Sequence, residues 1–121
     1  MMNTELSGPY RLVYDEITFF VRTASKGVYM LGQQGQSNRF LVSYVGAGFT
    51  DVRSELLDRI GTASMFKLQL TPSADAAFSK QCDLLHQFQP SGNFVHPERP
   101  RGSSAQCPYC ALPKTAVVRR R

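Results

Sequence analysis

The sequence predicts an α+β domain, ordered β-β-α-β-α in three layers around a small central antiparallel sheet, with a zinc-stapled C-terminal tail. Three observations predict it. Short stretches rich in β-branched and aromatic residues recur at residues 27–31, 40–46 and 65–70. Two further stretches, after the second and third of these, open on helix caps, and the first of them carries apolar positions at helical spacing. From Pro90 onward, five prolines and little periodicity replace both patterns, so that segment needs something other than an apolar core to hold it.

Taken in order, residues 1–9 are polar and end in Gly8-Pro9, a segment expected to fray. Residues 10–25 hold an apolar cluster of Ile17, Phe19, Phe20 and Val21. It reads as a strand or as a short helix starting near Asp15, and periodicity does not separate the two. Residues 27–31 are strand-like. Residues 32–39, GQQGQSNR, are polar or glycine and read as a hairpin loop into the strand at 40–46. Thr50 or Asp51 can cap the helix that follows, in which Val52, Leu56 and Ile60 share one face and Gly61 supplies the stop. Residues 65–70 alternate as a strand should. Pro72-Ser73 opens a second helix, capped by Ser73 and running to about Phe88.

The chain's 121 residues suit one domain. Its hydrophobic fraction of 42% gives one small core, for which a metal staple is useful support. The net charge of +5 favours an anionic partner, although Arg119, Arg120 and Arg121 alone carry three of those charges. No apolar run approaches the roughly 20 residues of a membrane span, and the N-terminus lacks the pattern of a signal peptide. The expected setting is cytoplasmic, with no membrane partner. In that reducing setting three cysteines point to metal or packing rather than disulfides.

Gly27-Val28-Tyr29 is followed by Tyr44-Val45-Gly46, then by a helix, then by Gln81 and Asn93 twelve residues apart with Pro90 between them. This set resembles the GIY-YIG nuclease superfamily over roughly residues 25–95. The resemblance implies hydrolysis of a phosphodiester with one divalent metal, Mg²⁺ or Mn²⁺, held by a single glutamate, with tyrosine activating water and arginine steadying the anionic transition state. It places Tyr29 and Tyr44 at the two tyrosine positions and Asn93 at the closing asparagine. Two positions depart from it. Gln81 stands at the glutamate position, and a neutral amide oxygen is a weaker ligand for a hard cation. The arginine position falls on Glu55 by the flanking Val52 and Leu56. Arg53, two residues earlier, and Arg59, one turn later, are the alternatives. An exchange of roles, with Glu55 now binding metal, is a further alternative. Hydrolysis is therefore expected to be weakened. The other reading is a catalytically silent domain that binds nucleic acid, DNA before RNA, or a protein. On this reading residues 1–95 form the GIY-YIG-like domain, 96–112 a zinc-stapled closing segment and 113–121 a basic tail.

The zinc expectation rests on Cys107-Pro108-Tyr109-Cys110, a C-x-x-C knuckle, and on Cys82 and His86, four apart on the second helix. Together they form a Cys₃His set for structural Zn²⁺, with His96 competing as the fourth ligand. A redox motif would need a strand before the knuckle and a helix after it, and Pro113 leaves no room for the helix. Lys67, Arg99 and Arg101 are the candidate phosphate contacts, alongside Lys80 and the terminal arginines. Such contacts give salt-sensitive binding with little sequence preference.

Overall fold

The computed structural model describes residues 6–88. Its elements run β1 (Ser7–Arg11), α1 (Tyr14–Phe20), β2 (Gly27–Gln34), β3 (Phe40–Gly48), α2 (Val52–Asp58), β4 (Met65–Leu70) and α3 (Ala74–Phe88), with a 3₁₀ turn at Gln36–Asn38 in the β2–β3 hairpin. The four strands form one sheet in the order β1-β4-β2-β3, with every neighbouring pair antiparallel. The α+β class is as the sequence predicts. The segment at 10–25 resolves into both alternatives: a strand ends at Arg11 and a helix begins at Tyr14. Residues 7–9, expected to fray, belong to β1 and add an edge strand to the sheet.

β2 is central because it is apolar on both sides. Its first six residues are all buried. Alternation along the strand sends neighbours to opposite faces. Tyr29 and Leu31 join a core with Ile17 of α1 and Val21 at its C-cap, Val52 and Leu56 of α2, and Phe66 and Leu68 of β4. Val28 and Met30 instead join Val45 of β3 and Leu84 of α3. The sheet is thus sandwiched, with α1 and α2 on one face and α3 on the other. Burying each such side chain stabilises by about 1.5–3 kcal/mol, which is why the strand with two covered faces organises the rest.

The caps follow the sequence. Asp51 is the N-cap of α2, its carboxylate accepting from the Ser54 backbone N–H at 3.2 Å. The Ser73 hydroxyl accepts from the Ala76 N–H at 3.0 Å and starts α3. Gly61, at φ +97°, takes the left-handed conformation that stops the chain after α2. Because α2 ends at Asp58, Ile60 falls outside the helix and is exposed rather than on its buried face. Glu16, in the first turn of α1, accepts from both the backbone N–H and Nε of Arg11, each at 2.8 Å, and ties β1 to the helix. No helix among the described residues is long and apolar enough to cross a membrane.

Candidate functional site

The site begins with a glycine. Tyr29 of β2 lies opposite Gly46 of β3 in the sheet register. A Cβ on Gly46 would collide with the hydroxyl end of the Tyr29 ring. The glycine of the second tripeptide is therefore the space in which the tyrosine of the first lies. Tyr44, two residues before Gly46, shares its face of the strand, and its ring centroid is 6.2 Å from that of Tyr29.

Helix α2 completes the arrangement. Arg59, at its C-terminal cap, donates from Nε to the Tyr29 hydroxyl at 3.3 Å and from Nη2 to the Tyr44 hydroxyl at 2.8 Å. Its guanidinium carbon also lies over the Tyr44 ring, 4.4 Å from the centroid. Glu55, one turn earlier on the same helix face, accepts from the Tyr29 hydroxyl at 3.3 Å. Tyr29 is fully buried, whereas Tyr44, Glu55 and Arg59 are half-buried. Burial pushes the Tyr29 hydroxyl well above its ordinary pKa, and the hydrogen bond from Arg59 offsets only part of that rise. At neutral pH Tyr29 is therefore a neutral relay between a carboxylate and a guanidinium.

Chemically, this is a held cation. A guanidinium has five N–H donors, and the two tyrosines use one on Nε and one on Nη2. The remaining edge can accept an anion in a bidentate fashion. Glu55 sits beside it and limits how much negative charge the site tolerates.

No protein-family model, curated protein or solved structure matches this chain.

The other predicted site residues lie elsewhere. The Arg53 guanidinium donates to the Arg22 carbonyl at 2.9 Å, linking α2 to the segment after α1. Of the residues competing for the arginine position, Arg59 joins the tyrosines and Arg53 does not. Lys67 of β4 sits with its ammonium 5.2 Å from the Phe40 ring centroid, away from Arg59. Gln81 comes from α3, on the opposite face of the sheet from α2, and no hydrogen bond links it to Tyr29, Tyr44 or Arg59. It is 7% exposed, and its amide oxygen has no hydrogen-bond partner among the described residues. One neutral oxygen is a poor anchor for Mg²⁺ or Mn²⁺, and no group of three or more His, Cys, Asp or Glu side chains suited to a metal forms among the described residues. Gln81 therefore offers no metal anchor beside the two tyrosines, and no hydrolytic step is assigned through it. Asn93, His96, Arg99, Arg101, Cys107 and Cys110 lie outside the described residues. The sequence reading missed the role of Gly46. The signal for it is a glycine in register with a large buried tyrosine on the neighbouring strand.

Proposed function

We propose that this chain is a GIY-YIG-like nucleic-acid-binding domain in which Arg59, set in place by Tyr29 and Tyr44, contacts a backbone phosphate, and in which phosphodiester cleavage is slow or absent. The observation that carries this reading is the convergence of both tripeptide tyrosines on one arginine from the following helix. A phosphodiester carries a single negative charge, which suits a guanidinium whose neighbour is a carboxylate. Cleavage is weak on this reading because Gln81, at the sequence position that the resemblance gives to the metal's carboxylate, is a neutral amide and comes from the other face of the sheet. Losing one preorganised electrostatic group costs about 10²–10³ in rate.

Fluorescence anisotropy with a labelled DNA duplex, titrated across salt, tests the binding. Affinity should fall steadily as salt rises. Arg59→Ala should weaken it roughly tenfold, the size of a missing charge-assisted hydrogen bond. Salt-independent binding, or none, would remove the nucleic-acid role. A second reading keeps catalysis, with Glu55 as the metal-binding carboxylate. The contact between Glu55 and the Tyr29 hydroxyl favours it. Nicking of supercoiled plasmid in Mn²⁺, abolished by Glu55→Gln and by Tyr29→Phe, would select this second reading.

A further inference from the structure

Helix α1 turns a phenyl ring straight out into solvent. Ile17 of α1 and Val21 at its C-cap lie in the core. Phe19 stands two residues from each, about 200° around the helix and so on its far side. The residue is 59% exposed, yet its ring is braced. Phe20 meets it in a T-shaped contact with centroids 4.9 Å apart, and Phe20 is itself stacked on Tyr10 of β1. The Arg22 guanidinium lies 5.2 Å from the Phe19 centroid, and its Nε donates to the Phe19 carbonyl at 3.2 Å. Cations gather at this corner. Arg53 of α2 donates to the Arg22 carbonyl. Exposed Lys26 follows in the same loop, which the hydrogen bond from the Val52 N–H to the Ser25 carbonyl holds against the start of α2. Among the acids, Glu16 is paired with Arg11, Asp51 accepts from the Ser54 N–H, and Asp15 lies one turn back toward the start of α1.

We infer that Phe19, braced by Phe20 and flanked by Arg22 and Arg53, is a stacking platform for a base of single-stranded nucleic acid. Charge selects this occupant. An apolar protein surface laid on the ring would strip water from the guanidiniums and offer them no partner. A nucleotide offers both halves of the match, a flat ring for the phenyl and a phosphate for the cations. In a duplex the base faces are closed against one another, so the base that stacks here is unpaired. The platform rests on the nucleic-acid reading of the domain but not on Arg59, and it names the substrate as one that carries unpaired bases. Tyr10, Phe66, Leu31 and Tyr44 are in register across the four strands. Phe20 on Tyr10 and Arg59 on Tyr44 therefore stand on one face of the sheet, three strand spacings or about 14 Å apart. One bound strand can touch both.

The chain has no tryptophan, so Phe19→Trp in the full chain places a sole fluorescent reporter at the platform. The ring lies outside the core, and an unchanged urea midpoint checks that the variant folds. Oligo-dT should quench its emission saturably, whereas a strand of equal length with abasic sites in place of bases should not. In anisotropy, Phe19→Ala should weaken oligo-dT binding by roughly five- to a hundredfold, the size of one base–aromatic stack. It should leave a blunt duplex unaffected, whereas Arg59→Ala should weaken both. Arg22→Ala should lower the salt slope for oligo-dT by about 0.7, one phosphate of a single strand. Oligo-dT binding that Phe19→Ala does not weaken, or equal quenching by the abasic strand, would overturn the platform and leave the Arg59 reading standing. A response to anionic phospholipid vesicles but not to oligo-dT, or a dimer that Phe19→Ala dissolves, would overturn it by giving the ring to a membrane or to a second copy. Loss of binding with Phe19→Ala but not with Arg59→Ala would keep the platform and remove Arg59. Failure to bind oligo-dT and duplex alike would remove both.

Discussion

Tyr29 shows how much one side chain can be asked to do. It fills the core, donates to Glu55 and accepts from Arg59, and it does so over a glycine. Gly46→Ala is therefore expected to destabilise by about 1–3 kcal/mol, the cost of overpacking, seen as a lower urea midpoint. Gly61→Ala is the useful contrast. A Cβ there meets nothing within 4 Å, so only the positive φ is penalised, and the cost should be about 1 kcal/mol. Tyr29 also makes a pH prediction. Its folded pKa is raised above the ordinary value of about 10. Its contribution is fully present below pH 10 and disappears as pH rises from there toward the folded value, because the unfolded chain releases the proton first. Urea midpoints measured from pH 8 to 11 should fall more steeply for the wild type than for Tyr29→Phe. Much of this site was legible in the sequence, since both tyrosines and an arginine one turn beyond Glu55 were candidates. Gln81 was not separable from them by spacing alone. Its distance along the chain says nothing about which face of the sheet its helix covers.

Among the elements, β4 and α3 are legible nearly to the residue, because alternation marks the strand and a serine cap before and Pro90 after bound the helix. The hairpin stands where the sequence places it, but β2 runs further into the polar loop, to Gln34, and β3 continues past Gly46 to Gly48, at the end away from the loop. Helix α1 was obscured by its own aromatics. Ile17 and Val21 are spaced four apart and buried, the ordinary helical signal. Phe19 and Phe20 lie between them and are 59% and 36% exposed, so the apolar run looks continuous and hides the period. Phe20 instead stacks on Tyr10 of β1 with ring centroids 3.7 Å apart. Phe20→Ala is expected to loosen β1 from α1, read as faster amide exchange at residues 7–11 than elsewhere in the sheet. For α2, with only seven residues, the cap carries weight. Asp51→Ala should cost about 1 kcal/mol, measurable as a shift in the urea midpoint.

At the scale of the molecule, charge and fold separate. Residues 6–88 carry eight Lys or Arg and seven Asp or Glu, a net of +1, so +4 of the chain's +5 belongs to the remaining residues. On the proposed reading, non-specific attraction to nucleic acid and the placing of one phosphate on Arg59 would therefore be different jobs in different parts of the chain. Removing residues 113–121 deletes Lys114 and three arginines. This should reduce the slope of log affinity against log salt by up to about 3–4, at about 0.9 for each phosphate no longer neutralised. The Arg59→Ala effect should persist in the shortened chain. An unchanged slope would move the attraction to the cations of residues 6–88.

The pairing of β1 with β4 carries a consequence for how the protein is made. Tyr10 finds Phe66 only after nearly all of the sheet has been synthesised. The earliest strand to leave the ribosome is thus among the last to be seated, while the β2–β3 hairpin can close from its own local turn. Until Met65–Leu70 emerges, β2 presents an apolar, unpaired edge to the cell. A nascent chain arrested before that point is the form most exposed to aggregation.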